Sequence, residues 1–226
     1  MGPATHVGLN RALLDFSNRL VPYLTEKRFC GKVVYSGGDD VMAVLPLADL
    51  PQYLLSIRAA WCGKEDPCKE FITNNNNQNN SNNIDSGYWI PTDKIKDLQK
   101  RPYFTMGEGA TMSLGIVIAH KSVPLPTVLE TLWSAEKERA KKITGKDGLC
   151  FRVIYGGGNV LEALMKGDLL SLWWKFVKFY GFKTMKKEEH KDKTCLENEV
   201  NNQENQLDLS PLLYRLADEL PRHTCV

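Results

Sequence analysis

Residues 33–46 read Val-Val-Tyr-Ser-Gly-Gly-Asp-Asp-Val-Met-Ala-Val-Leu-Pro, and this stretch decides the fold class. Two β-rich runs flank a Gly-Gly-Asp turn, which is typical of a β-hairpin. The turn carries Asp39 and Asp40, two adjacent carboxylates that are costly at the tip of an apolar hairpin unless something binds them. A divalent cation is the obvious partner. A solvated turn explains the same residues, because Gly-Gly and Gly-Asp also suit the positive φ angles of tight turns.

The sequence on both sides of the hairpin predicts alternating helices and strands. Apolar residues spaced by three or four predict helices over residues 6–24, 47–61 and 127–143. Short runs of β-branched residues predict buried strands over residues 111–120 and 150–155. The resulting order, α-β-β-α-β-α-β, predicts an α+β fold with a ferredoxin-like (βαββαβ) core that lacks its first strand.

Two further segments differ in composition from this core. Residues 74–83 contain eight Asn, one Gln and one Ser, which predicts a disordered loop inside an insertion at about residues 67–102. From residue 159 onward the pattern is helical, with an aromatic-rich segment and a final helix over residues 211–220. We therefore expect a core domain over residues 1–158 and a smaller helical C-terminal domain over residues 159–226.

Composition and charge argue against several classes of protein. With 29 Lys+Arg against 27 Asp+Glu, the net charge of +2 gives no electrostatic case for a dedicated nucleic-acid or membrane-surface protein. The first ten residues do not resemble a signal peptide, and no apolar run reaches the roughly 18–20 residues that cross a bilayer. The 6 cysteines are scattered, and the spacing of Cys62 and Cys68 is too wide for a usual zinc pair. Free thiols suit a reducing cytoplasm, so we expect a cytoplasmic protein without a membrane partner.

The hairpin and the elements around it resemble a known family. Residues 33–46 resemble the Gly-Gly-Asp-Asp hairpin of the palm domain in the large subunit of type III CRISPR effector complexes, most of all in the Cmr (type III-B) branch. The resemblance covers about residues 5–180 in motif order, and four ordered motifs are far more specific than the tetrapeptide alone. The supporting matches are the helix over residues 6–24, the strand over residues 113–120, and a helix that follows Pro124-Leu125 and contains Ala135-Glu136 and Ala140-Lys141.

The resemblance implies a polymerase/cyclase-like palm that joins metal-bound ATP into cyclic oligoadenylate, a second messenger made when the RNA-guided complex senses target RNA. It implies other subunits of a type III-B complex as partners, together with guide RNA and target RNA through that complex. It assigns Asp39 and Asp40 as the catalytic acids that bind Mg²⁺ or Mn²⁺. The turn residues beside the nucleotide are Ser36, Gly37 and Gly38.

Two further positions have competing explanations. Lys141, together with its neighbour Lys142, lies near the end of its helix and is similar in place to residues that approach a triphosphate in Gly-Gly-Asp-Glu-Phe cyclases. Lysines at a helix C-terminus also complement the helix dipole without any ligand. His120 matches a family position at the end of a strand, where a hydrogen-bonded or capping role competes with a catalytic one.

The sequence departs from the family pattern in two ways. The family palm begins with a strand bearing Asp-Gly-Asp, and the large subunit also carries an HD-type nuclease domain, yet this chain contains neither Asp-Gly-Asp nor a His-Asp dipeptide. We therefore expect a C-terminal fragment with a metal site short of ligands, and poor stability or association when it is expressed alone. Two alternatives stay open, a truncated non-catalytic structural subunit and a stand-alone Gly-Gly-Asp-Glu-Phe-like cyclase. Against the cyclase, Val41-Met42 stand where that motif would continue.

Overall fold

The computed structural model describes residues 2–73, 87–155 and 158–181, all within the first of the two units into which the chain divides, residues 1–188. The predicted loop over residues 74–83 and the predicted final helix lie outside the described residues. The helices are α1 (Pro3–Asp15), α2 (Leu50–Cys62), α3 (Leu125–Ser134) and α4 (Leu170–Gly181). The strands are β1 (Lys32–Gly37), β2 (Asp40–Val44), β3 (Phe71–Ile72), β4 (Tyr88–Pro91), β5 (Tyr103–Phe104), β6 (Leu114–Ala119), β7 (Gly148–Ile154) and β8 (Val160–Lys166).

The predicted N-terminal helix is confirmed and extends further than expected. α1 continues through two π-helical segments, Phe16–Leu20 and Tyr23–Arg28. Pro22 lies between them, and a residue without a backbone N–H interrupts the regular α-helical hydrogen-bond ladder at that point. Both segments bury apolar side chains, with Leu20 and Leu24 fully enclosed in the main core.

The hairpin that decided the fold class is confirmed. β1 and β2 pair antiparallel, and Gly38 opens the turn with a φ of +62°, as a glycine-first hairpin turn requires. The register shifts between Val33 and Tyr35, which makes Val34 an extra, bulged residue. Because of the bulge, Val33 and Tyr35 fall on opposite faces although they are two residues apart. Val33 packs against the main core, whereas Tyr35 is exposed.

A second sheet has the order β6-β7-β8, with β6 parallel and β8 antiparallel to β7. Leu149 and Phe151 of β7 pack on one face in a cluster with residues of α2 and α4, while Cys150 points to the other face. That second face is covered by a π-helical continuation of α3 over Ala135–Ile143, whose Ala135 and Ala140 contact Cys150. The strands and the helix predicted in this region are therefore confirmed, and they form helix, sheet and helix layers.

One glycine permits the close packing of the second layer. A Cβ atom at Gly115 of β6 would lie 2.8 Å from the backbone nitrogen of Glu136 and 2.9 Å from the carbonyl oxygen of Leu132. Both atoms belong to a helix backbone, which cannot move aside as a flexible side chain can. Gly115 therefore sets the distance at which α3 and its continuation cross β6.

A small sheet of order β3-β4-β5 was not predicted, and its strands flank the undescribed residues of the insertion. It is anchored by an ionic group that we name the buried clamp, made of Tyr23, Arg28, Asp66 and Glu70. Arg28 donates to both carboxylate oxygens of Asp66, at 2.8 and 2.7 Å, and to Glu70 at 2.7 Å. The Tyr23 hydroxyl donates to the same Glu70 oxygen at 2.9 Å. The flanks of the insertion are thus part of the core, with Phe71, Trp89 and Tyr103 buried.

The helical prediction that began at residue 159 is wrong for its first part. Val160–Lys166 forms β8, which pairs with β7 from Gly148↔Lys166 to Ile154↔Val160. The sequence Leu-Glu-Ala-Leu-Met favours a helix by intrinsic propensity, but pairing with an exposed neighbouring strand outweighs that weak preference. The predicted domain boundary after residue 158 falls in the turn between these two paired strands. Helix begins only at residue 167, with a short 3₁₀ turn followed by α4.

Two expectations drawn from composition can be compared with the fold. Across the described residues, no helix combines the length and the apolar character needed to span a bilayer. Four cysteines within the described residues are free thiols, and Cys62 and Cys150 among them are buried.

Candidate functional site

A cavity of about 760 Å³ lies between the β1-β2 hairpin and the sheet β6-β7-β8. Two runs of consecutive residues line it, 39–43 along β2 and 111–115 leading into β6. Because successive residues of a strand point to alternate faces, a cavity that meets four consecutive residues of β2, Asp40 to Ala43, follows the edge of that strand, and it meets β6 at its first two residues, Leu114 and Gly115. Within the described residues β2 pairs with β1 alone and β6 with β7 alone. The cavity therefore runs along the free edge of β2 and reaches the start of β6.

The hairpin brings its two acids to this cavity. Asp39 lies in the turn and Asp40 begins β2 opposite Gly37, so both side chains are exposed where the hairpin meets the cavity. Tyr35 lines the same cavity and is 56% exposed. Its position depends on the bulge at Val34, which turns Tyr35 away from the core and onto the face that carries Asp40.

The opposite wall is formed by α3 and its π-helical continuation. Trp133, Lys137 and Lys141 recur every four residues and all line the cavity. The Lys141 ammonium donates to Glu136 at 2.6 Å, and this bond is the main reason why the pKa of Lys141 is raised above its ordinary value. The negative charges of Asp40 and Asp39 raise that pKa further. Lys141 is therefore electrostatically coupled to both acids of the hairpin.

A third cation reaches the cavity from the turn before β7. Lys146 lines the cavity and has a φ of +71°, and Asp147 follows with a φ of +50°. Non-glycine residues in the left-handed region persist only where their surroundings hold them. Here Arg58 of α2 donates to Asp147 at 2.6 Å, and the Asp147 carbonyl accepts a hydrogen bond from the Gly167 amide at 2.8 Å. Contacts from α2 and from the residue after β8 thus hold the turn that carries Lys146.

Of the predicted site residues, the structure brings Asp39, Asp40 and Lys141 to one cavity and places the others beside it. The Ser36 hydroxyl donates to the Ser17 carbonyl oxygen at 2.8 Å, which ties the hairpin to the N-terminal helix. Ser36, Gly37 and Gly38 are not among the residues that line the cavity. Their described contribution is the shape of the hairpin, which decides where the two acids lie.

The two positions with competing explanations also have clear surroundings. A ring nitrogen of His120 lies 2.8 Å from the Ser122 hydroxyl, in the exposed turn after β6. His120 is therefore hydrogen-bonded, and it is not among the residues that line the cavity. Lys141 and Lys142 are both exposed, but only Lys141 lines the cavity.

The donor set of the cavity suits a hard divalent cation that is shared with a ligand. Across the described residues, no three His, Cys, Asp or Glu side chains are grouped closely enough to hold a metal on their own. Mg²⁺ is usually bound by one or two carboxylates together with water and substrate phosphates. Asp39 and Asp40 fit that arrangement, and the cations of the opposite wall suit a phosphate chain.

Sequence reasoning missed Tyr35, Trp133, Lys137 and Lys146. The four-residue spacing of Trp133, Lys137 and Lys141 was visible in the sequence and places the three on one side of a helix. No comparable signal marks Tyr35, because its exposure depends on a bulge. Lys146 reaches the cavity through two left-handed residues, a conformation that neither residue type indicates.

An exposed acidic hairpin that faces a helix with a row of cations, on a mixed α/β fold, is consistent with a palm-type domain. The family model for Cas10/Cmr2, second palm domain, matches residues 1–150, which is more than half of the 226-residue chain. The chain therefore belongs to the Cas10/Cmr2 second-palm-domain family. It is similar to the CRISPR system Cmr subunit Cmr2 of Pyrococcus furiosus, with 26% identity over 172 residues. The match covers 76% of this chain and 15% of that relative, so the chain spans a small part of the relative's length.

Proposed function

We propose that this chain forms the nucleotide-binding palm site of a type III-B CRISPR large subunit, where ATP binds with Mg²⁺ or Mn²⁺ and is joined into cyclic oligoadenylate. The observation that carries the proposal is the meeting of Asp39, Asp40 and Lys141 at one cavity of about 760 Å³. Membership of the Cas10/Cmr2 palm family supports it. The activity, the cytoplasmic location and the partners, which are the other Cmr subunits with guide and target RNA, are all parts of this proposal.

The proposed chemistry joins two nucleotides through a new phosphodiester bond. A ribose 3′-hydroxyl attacks the α-phosphorus of ATP, a P–O bond forms as the hydroxyl proton passes to solvent, and pyrophosphate leaves with the electrons of the broken P–O bond. A divalent cation held by Asp39 and Asp40 supplies Lewis-acid stabilisation of the charge on phosphorus. Lys137, Lys141 and Lys146 attract the triphosphate and offset the charge of pyrophosphate as it departs.

The proposal includes the ferredoxin-like form of the fold. The hairpin and the sheet β6-β7-β8 flank a cavity that follows the edge of β2 and reaches the start of β6, which supports a single sheet with a gap at the place of the first strand of the ferredoxin-like core. An added strand would lie in the plane of the sheet. The helix that carries Lys137 and Lys141 covers one face of that sheet, as the contacts of Cys150 with Ala135 and Ala140 indicate. A strand would therefore fill the part of the cavity beside β2, and a nucleotide would occupy the part beside the helix.

Calorimetric titration of ATP in the presence of Mn²⁺ or Mg²⁺ tests the nucleotide site. We expect metal-dependent binding by the full chain and its loss in the double variant Asp39→Ala/Asp40→Ala. The matched control is Asp93→Ala/Asp97→Ala, which removes two exposed carboxylates that do not line the cavity. This control should bind ATP as the unaltered chain does, because a general change in net charge has only a small effect at physiological salt.

The outcomes of this titration separate the alternatives. Equal binding by both double variants, or no binding by a folded chain, would favour the truncated non-catalytic structural subunit. A strong preference for GTP over ATP would favour a stand-alone Gly-Gly-Asp-Glu-Phe-like cyclase. Metal-dependent ATP binding that requires Asp39 and Asp40 would support the proposal. The next experiment would then use the assembled complex, in which the formation of cyclic oligoadenylate on addition of target RNA tests the activity itself.

A further inference from the structure

The exposed indole of Trp133 is the feature of the cavity that metal and phosphate binding leave unexplained. Trp133 is 49% exposed, and it lies on α3, none of whose residues is buried. It lines the same cavity as Asp39 and Asp40. Concave sites for small ligands are typically lined by aromatic side chains together with a few placed polar groups, which is the combination found here.

Along the helix wall of the cavity, an aromatic side chain is followed by two lysines. Trp133 precedes Lys137 and Lys141 by four and eight residues, and a rise of about 1.5 Å per residue sets the indole at most about 12 Å from Lys141 along the axis. Lys141 ends this row, and it lines the same cavity as Asp39 and Asp40. An aromatic side chain therefore lies at one end of the row, and the lysines lie toward the other.

We propose that Trp133 is the base-stacking platform of the cavity, with the nucleobase on the indole and the triphosphate extending past Lys137 toward Lys141, Asp39 and Asp40. The inference rests on the proposed function, since it assigns the part of the same site that receives the base. Stacking on an aromatic ring tolerates every base, because each base has a π face. Trp133 then contributes affinity without selecting adenine over guanine.

Three ligands and two substitutions test this assignment in the full chain with Mn²⁺ present. The ligands are ATP, GTP and inorganic tripolyphosphate, which carries the phosphates without a base. In Trp133→Ala we expect ATP and GTP to bind about 5- to 150-fold more weakly, the range measured for the loss of one base stack, while tripolyphosphate binds as before. Trp133→Phe should retain most of the nucleotide affinity, since it keeps an aromatic face.

The matched control is Leu125→Ala, which removes another exposed apolar side chain of α3 that does not line the cavity. It should leave the binding of all three ligands unchanged. An equal loss of ATP and tripolyphosphate in Trp133→Ala would overturn the stacking role, because it would mean that the indole shapes the fold or the phosphate site. An unchanged affinity for ATP would overturn it as well.

The same titrations separate this inference from the proposed function. If the unaltered chain binds ATP and tripolyphosphate but Trp133→Ala has no effect on ATP, the stacking role fails and the nucleotide site remains. If the unaltered chain binds neither ligand, both proposals fail, and the exposed indole is better explained as a protein interface.

Discussion

The buried clamp around Asp66 and the cavity around Asp39 both contain acidic and basic side chains. The charged groups of the clamp are buried and paired, whereas those of the cavity are exposed. In the clamp, the side chains of Arg28 and Asp66 are 2% and 0% exposed. The Asp66 carboxylate also accepts hydrogen bonds from the backbone amides of Glu70 and Phe71, at 2.9 and 3.1 Å. In the cavity, Asp39 and Asp40 are exposed at a hairpin turn and face a helix with lysines across open space.

This difference separates the part of the molecule that holds the fold from the part that we propose binds a ligand. A charge that is buried with a complete set of partners is destabilising to disrupt, because its partner would be left alone in a low-dielectric surrounding. A charge that is exposed and only loosely compensated contributes little to folding and remains available to an ion or a phosphate. The comparison predicts how strongly each acid should affect the free energy of unfolding.

The largest effect on stability is expected for Asp66→Ala. This change leaves Arg28 buried without its bidentate partner and also removes the acceptor for three backbone amides, so the free energy of unfolding should fall by about 3–5 kcal/mol. Urea denaturation of the full chain measures it. Asp97→Ala is the control, because its 3.5 Å ion pair with Lys27 is exposed and should contribute less than about 1 kcal/mol. A loss for Asp66→Ala no larger than that of the control would contradict the role given to the clamp.

A smaller effect, dependent on pH, is expected at Asp15, which is 3% exposed. Burial alone would raise the pKa of Asp15, but hydrogen bonds from Arg101 and from the Phe104 amide outweigh it. The charges of Arg101 and Arg11 add to this effect, and the pKa lies below its ordinary value. Because the pKa is lower in the folded chain than in the unfolded chain, this carboxylate stabilises the fold above the unfolded value of about 3.9. That stability is lost as the pH falls through the folded-state pKa.

The variant Asp15→Asn tests this linkage by urea denaturation at several pH values. At pH 7 it should be less stable by about 1.5–3 kcal/mol, since hydrogen bonds to a charged group are lost. The difference from the unaltered chain should stay constant down to about pH 5 and narrow below about pH 4, because the carboxyl of the unfolded chain then takes up a proton while the native carboxylate is still charged. A difference that is the same at pH 3 and pH 7 would show that packing, rather than charge, sets the role of Asp15.

The sequence predicted those elements whose pattern is local. The hairpin over residues 33–46 combined β-branched runs with a glycine turn, and the helices carried regular apolar spacing, so both were recognised correctly. β8 was missed because its residues favour a helix and only the pairing with β7 makes them a strand. The sheet β3-β4-β5 was missed because its strands are two to four residues long and depend on distant partners in the buried clamp.

The same distinction applies to the site. Asp39 and Asp40 were identifiable because adjacent acids at a glycine turn are chemically conspicuous, and Lys141 was identifiable through its helix. Their proximity in one cavity depends on contacts between distant parts of the sequence, since about 100 residues separate the hairpin from that helix. Tyr35 was not identifiable, because a one-residue bulge decides which face of the hairpin it occupies.

The smallest effect on stability is expected where the proposed effect on binding is greatest. Asp39→Ala/Asp40→Ala should change the free energy of unfolding by no more than about 0.5 kcal/mol, because both side chains are exposed at a turn whose shape is set by Gly38. Urea denaturation beside Asp66→Ala gives the direct comparison. A loss above about 1 kcal/mol would mean that the two acids help to hold the hairpin, and a loss of ATP binding could then reflect a disturbed fold. An unchanged stability together with lost binding would separate the two roles of acidic residues in this chain, since Asp66 would support the structure and the hairpin acids would serve only the ligand.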